Sequence, residues 1–337
     1  MSAERVEARR RLDELSPILR VYWREVEAVL SPFLTISPRP NLRTPVATTD
    51  SRGYRRSRVG EATVASDDAP DDATFLLGAS YAFGVGAEDD SGTLASALWR
   101  RSGRPCVNLG LTAGSSMHEL ISALPFVDRT TTFIVCSGGS NLAAAAAHMP
   151  AVDPLLGPSF LDYYLQKLRG PTVDEIVHMV WAGRKGRVAR WKPGPRLERR
   201  KPKSRPEDPE AALAAAAALQ LRDLGALRRL VPAEAKVVFA LNPFARATSK
   251  QLSEEEEGIL EAIDVINRGT DWGYSKDLAV AYWDAVVAVM SDGCAELGVP
   301  FVNVTDAPYT GWCFLDEVHM NSHGYDIAAK FLLDSLD

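Results

Sequence analysis

Chemistry in this chain has to be sought where a reactive side chain leaves an apolar element, and one place stands out. The run Phe75-Leu76-Leu77 stops at Gly78-Ala79-Ser80, with Gly84 and Gly86 soon after. A serine hydroxyl is inert until a base lies within hydrogen-bond reach and a third group orients that base. The chain has five histidines. His118 and His148 fall in or beside predicted helices with no acid suitably placed, and His178 falls in an insertion at about 150–209. His319 follows Asp316 by three residues, so a single loop can present the carboxylate to one ring nitrogen and turn the other toward the serine. Ser80, His319 and Asp316 are therefore the expected nucleophile, base and orienting acid. His319 and His323 also have a spacing that suits a metal with Asp316, but no further ligand cluster accompanies them; no metal and no cofactor is expected.

A carbonyl attacked by serine needs donors for the oxyanion. Glycines in "NLGLTAGSS" (108–116) and "CSGGSN" (136–141) allow backbone amides to approach closely, and Asn141 can add a side-chain donor while also capping a helix. Arg246 and Lys250 follow the fourth predicted strand, at the edge where such sheets bind ligands, and are expected to contact substrate. "FGVGAEDD" lacks the third glycine of a dinucleotide fingerprint, and "SGGSN" lacks the lysine of a phosphate loop.

The elements that must carry these residues are legible as an alternation. Apolar runs at 74–77, 106–109, 133–136, 236–241 and 301–304 read as strands. Helical patterns follow or separate them at 94–101, 116–124, 142–148, 211–230, 253–267, 278–297 and 325–336. Near-continuous apolar strands alternating with helices imply a parallel sheet covered on both faces, an α/β class. Ser253 with Glu256 makes a capping box, so "SEEEE" reads as a helix start. Residues 4–30 read as one amphipathic helix packed on the body. The division expected is an N-terminal helix and extension over 1–72 and a catalytic domain over 73–337, with an insertion at about 150–209.

Taken in order, these blocks resemble the SGNH (GDSL-type) hydrolase superfamily. "LLGASYAFGVGAED" resembles the nucleophile block with Ser80, "VNLGLTAGSS" the second block, "SGGSN" the third with Asn141, and "DEVHMNSHGYDIAA" the last with Asp316 and His319. "DSRGYR" (50–55) and "NPFARATSKQLSEEE" resemble segments of one branch. The resemblance implies the flavodoxin-like three-layer α/β/α sandwich of the SGNH hydrolase fold, with a five-stranded parallel sheet, and acyl-ester chemistry. It implies an oxyanion hole made by the amides of Ser80 and Gly114 and the side chain of Asn141. Counting from Asn108 puts the family glycine at Ala113, so Ala113 is the alternative to Gly114. The chain departs from the family pattern at Ala79, where an aspartate is usual, and at Leu142, where the asparagine is usually followed by aspartate.

Composition bounds the partners. Apolar residues make up 46% and charged residues 24% of 337, with a net charge of −6; this is ordinary for a soluble globular chain. Residues 184–205 hold eleven Lys or Arg and one acid, leaving the remainder at −16. An acidic body with one basic segment argues against a nucleic-acid binder and leaves that segment as a docking patch for an anionic partner. The first thirty residues are charged and lack the apolar core of a secretory signal, no stretch is apolar enough to span a bilayer, and four scattered cysteines include no CxxC; a cytoplasmic protein with reduced thiols and no membrane partner is expected. The reading is a serine esterase acting on a small-molecule or carrier-bound ester. An acyltransferase using the same site, or a binding module that kept the fold without catalysis, remain alternatives.

Overall fold

The computed structural model describes residues 2–31, 34–147 and 205–336. Most of the expected 150–209 insertion, with its basic run as far as Ser204, and His148 and His178 lie outside the described residues. Arg205, at the end of that run, places its guanidinium 4.4 Å from the ring centre of Tyr274.

Five strands form the central sheet: β5 (Thr74–Gly78), β6 (Cys106–Asn108), β7 (Thr132–Ser137), β8 (Lys236–Leu241) and β9 (Phe301–Asn303). All neighbouring pairs are parallel, in the order β6-β5-β7-β8-β9. Their interior residues are buried on both faces because helices cover both sides, which is why each strand reads as a continuous apolar run. One core holds Phe75, Leu77, Phe133, Val135 and Phe239 with the helix α7 (Pro209–Leu230). A second, on the opposite face, holds Leu76, Ile134, Val238 and the last helix. This is the flavodoxin-like α/β/α sandwich. The chain reverses direction across the sheet between β5 and β7, and ligands bind outside the carboxyl ends of the strands at such a point.

Two expected helices are broken. Residues 4–30 form α1 (Ala3–Leu15) and α2 (Pro17–Glu25), then β1 (Ala28–Ser31), which pairs antiparallel with β2 (Thr35–Pro38). Pro17 has no N–H to continue the first helix but suits the opening turn of a second. The pattern at 278–297 divides at Tyr282 between α9 (Asp271–Ala281) and α10 (Trp283–Glu296), bent by 73°. Among the described residues no single helix is long and apolar enough to cross a membrane.

The extension is bound to the body through buried polar groups. Asp50 accepts from the amides of Arg52 and Tyr54 and from Ser66, shaping the "DSRGYR" turn. That turn delivers Arg55, whose side chain has no exposure. Its Nε donates to Asp90 at 2.8 Å, and Nη1 donates to the carbonyl of Gly84 at 2.7 Å. Tyr22 also accepts from Nη1, and the carbonyl of Val46 accepts from Nη2. Tyr22 and Phe83 lie on its faces, each ring centre 5.5 Å from the guanidinium carbon. A second buried cluster joins α5 (Ser116–Ala123), the end of β7 and α7: Glu119 accepts from Ser137 Oγ and from Gln220 Nε2. Burial pushes the Glu119 carboxyl up to about 7, against the two hydrogen bonds that favour its ionised form.

Two outcomes are expected. Arg55→Met strips Asp90 and the Gly84 carbonyl of their buried donor and should lower the unfolding free energy by about 3–5 kcal/mol in urea titration; a loss under about 1 kcal/mol would mean the guanidinium is replaceable. Glu119 contributes stability that is fully present below pH 4.5 and is lost as the pH rises to about 7. Glu119→Gln removes that slope, so the variant should gain on the parent between these pH values, by about 3 kcal/mol at most. Parallel stability curves for the two proteins would contradict this.

Candidate active site

Ser80 opens α3 (Ser80–Phe83), a single helical turn directly after β5. Gly78 lets β5 end there: a Cβ at Gly78 would lie 2.1 Å from the carbonyl oxygen of Cys136 on β7. The turn closes on Gly84 at φ +88°, a left-handed cap, whose carbonyl Arg55 holds. From the other side Asn108 Nδ2 donates to Ala82 O at 2.9 Å. Gly110 passes so near that a Cβ would stand 2.3 Å from the Phe83 nitrogen.

Asp316 and His319 occupy a tight loop whose ends pair: the amide of Leu315 donates to His319 O at 2.8 Å, and Phe314 faces Met320 in an isolated antiparallel bridge. Asp316 Oδ1 accepts the amides of Val318 and His319, both at 2.8 Å. Its Oδ2 lies 2.6 Å from His319 Nδ1, and His319 Nε2 lies 2.7 Å from Ser80 Oγ. Burial works against ionisation of Asp316, but His319 and the two amides outweigh it and hold the carboxyl below its ordinary range. An ionised carboxylate only accepts, so Nδ1 carries the imidazole proton and Nε2 offers its lone pair to the serine hydroxyl.

The loop has its own supports. Glu256 completes the capping box of α8 (Glu254–Asn267) through Oε2, while Oε1 accepts the amides of Cys313 and Phe314, both at 2.9 Å. Lys250 is engaged within the protein: its side chain is buried against Glu256, where the carboxylate keeps it. Arg246 is likewise engaged, by Glu317 at 3.1 Å and Asp264 at 2.9 Å, and the amide of Ala245 donates to Glu317 O at 2.8 Å. Both cations expected at the substrate therefore brace the loop that carries the base. The acidic run gave the capping signal for Glu256, but its second role depends on a segment 57 residues further on.

On the oxyanion side, Gly138 (φ +88°) and Gly139 (φ +55°) turn the chain from β7 into α6 (Ser140–Ala147). With its amide oriented to donate, Asn242 binds the carbonyls of Ser137 and Gly138 at 3.1 and 2.8 Å. Asn141 Nδ2 is buried and has no hydrogen-bond partner among the described residues. The amides of Ser80, Ala113 and Gly114 donate to no acceptor among the described residues. A Cβ at Gly114 would meet its nearest atom at an ordinary 3.5 Å, so packing does not require glycine there and does not choose between Ala113 and Gly114.

His323 sits in the first turn of α11 (Ser322–Asp334), exposed, with Nε2 2.9 Å from Thr310 O. Among the described residues no cluster of three or more His, Cys, Asp or Glu is arranged to hold a metal ion.

The sequence did not mark Trp23 as a site residue, yet its ring lies edge-on to His319, with centroids 6.3 Å apart. A cavity of about 510 Å³ opens there, walled by α1 and α2 on one side and by α8 and the start of α9 on the other, with Asp316 and His319 in its lining. A single tryptophan within an amphipathic helix carries no signal that distinguishes a site wall from a packing residue.

No protein-family model matches the sequence, and no curated protein matches it. Among solved structures the chain is similar to an extracellular lipase from Streptomyces rimosus, with 15% identity and a TM-score of 0.41 over 79% of this chain and 98% of that one. It is similar to a member of the lipolytic G-D-S-L family from Veillonella parvula, with 11% identity and a TM-score of 0.40 over 78% and 96% of the two chains. A third similarity is to an aryl esterase from M. smegmatis, with 12% identity and a TM-score of 0.39 over 79% and 98%. Substrate and activity have to be argued from the site itself.

Proposed function

We propose that the protein is a serine hydrolase of the SGNH type that cleaves a carboxylic ester through an acyl-enzyme. The observation that carries this is the continuous chain from Ser80 Oγ through His319 to Asp316, at 2.7 and 2.6 Å. As Ser80 Oγ bonds to the ester carbonyl carbon, its proton passes to His319 Nε2, and Asp316 balances the imidazolium that results. The carbonyl oxygen, now an anion, is met by the unpartnered Asn141 Nδ2 and by backbone amides of the Ser80 and Ala113–Gly114 turns. Collapse breaks the bond to the alcohol oxygen, which leaves with the proton from His319. Water then repeats the sequence: His319 takes its proton, the hydroxide adds to the acyl carbon, and Ser80 leaves with that proton as the acid departs.

An alcohol or amine in place of that water would make the same site a transferase. A cytoplasmic location and capture of an anionic partner by the basic 184–205 segment belong to this proposal and rest on sequence alone.

Ser80→Ala should fold normally and lose up to ~10⁶ in turnover of a short-chain ester, along with labelling by a fluorophosphonate. Asn141→Ala should keep the labelling and lose about 10²–10³ in kcat with KM little changed. Near-parental turnover in pure Ser80→Ala protein would end the hydrolase reading; unaltered kcat in Asn141→Ala would remove that side chain from the oxyanion site.

A further inference from the structure

We propose that the cavity beside His319 is the leaving-group site, and that the natural ester carries a large, apolar alcohol; this rests on the serine hydrolase reading above. In that chemistry the group that departs takes its proton from the imidazole, so the alcohol oxygen must lie against the His319 side of the serine. The carbonyl oxygen points to the oxyanion donors, the Asn141 and Ala113–Gly114 side, which leaves the His319 side to the alcohol oxygen. A cavity opens on that side. It has Asp316 and His319 in its lining and measures about 510 Å³. Another, about 570 Å³, has Thr112 and Ala113 in its wall, and Trp23 lines both. The chamber with His319 in its wall is therefore the one assigned to the alcohol.

The character of the first chamber sets the class of alcohol. Leu12, Leu19 and Trp23 face Ile263, Ile266 and Trp272 across it. Its size falls in the range that encloses drug-sized ligands, about 300–1,000 Å³, and a methanol or ethanol group would leave most of it to water. Trp23 and Trp272 are 59% and 45% exposed, large apolar surface that a ring-bearing ligand would cover. Three of the four basic side chains in the lining are paired, Arg20 with Asp13 at 4.0 Å, Arg24 with Glu25 at 3.0 Å and Lys276 with Asp264; Arg9, exposed on the outer helix, has no carboxylate partner among the described residues. What the chamber offers a ligand is burial of apolar area, worth about 25 cal/mol per Å².

The test compares two acetates that share an acyl group, ethyl acetate and 2-naphthyl acetate, in the full-length protein. Ile266→Trp narrows the chamber from the wall opposite α1. Leu12→Trp does the same from the outer helix and serves if the first variant does not fold. The ratio of kcat/KM for naphthyl over ethyl acetate should fall about ten-fold or more in either variant. In parallel, 2-naphthol should bind Ser80→Ala protein in calorimetry, and adding Ile266→Trp or Leu12→Trp should weaken that binding by a similar factor. If both esters are turned over and the ratio does not move, the hydrolase reading stands and the leaving-group assignment is overturned. If neither ester is turned over and no fluorophosphonate label forms, the hydrolase reading itself fails and takes this assignment with it.

Discussion

A buried guanidinium with nothing but protein around it is tolerated only when its nitrogens find acceptors, and those of Arg55 each do so by drawing, between them, on four separate parts of the chain. Its acceptors come from α2, from the loop at Val46, from Asp90, and from the carbonyls that close the nucleophile turn. Because those carbonyls belong to Phe83 and Gly84, the orientation of the turn that begins with Ser80 is set partly by residues far upstream of it. The same bonds fix α2, which in turn fixes Trp23 beside His319. One charge thus positions both Ser80 and the tryptophan beside His319.

The base is held by a comparable device of opposite sign. Glu256, fully buried and charge-paired with Lys250, gathers two amides of the segment leading into the Asp316–His319 loop. Arg246 fastens the next residue, Glu317, from outside. The triad is therefore assembled from two independently anchored pieces, one per side of the sheet's carboxyl edge, and the 2.7 Å contact between them is where they meet. Buried ionic groups of this type add little net stability over apolar packing, but their directional bonds penalise small displacements.

How much of this was legible follows from which interactions are local. The strands were readable because double-sided burial writes an apolar run into the chain at each of them, and the Asp316–His319 pair was readable because both residues lie on one loop. Arg246 and Lys250 were misread because the carboxylates that occupy them, Glu317 and Glu256, come from other elements, and the position at a strand end gave no sign of that pairing. Pro17 sits where an amphipathic pattern runs on unbroken on either side, so period alone joined two helices into one. Residue-type logic found Ser80, Asp316 and His319, which the fold brings together. It did not find the groups that hold them, since Arg55, Trp23 and the second role of Glu256 exist only through contacts between distant segments.

Ser80 and His319 stand 239 positions apart. During synthesis the serine is complete long before its base exists, and any nascent chain shorter than 319 residues holds a hydroxyl with no partner to take its proton. The acid that orients the base arrives just ahead of it, on a loop that Glu256 has to be in place to receive. The Ser80–His319 contact therefore forms only after all five strands of the sheet have been synthesised, and chains that stop short of His319 hold Ser80 without it.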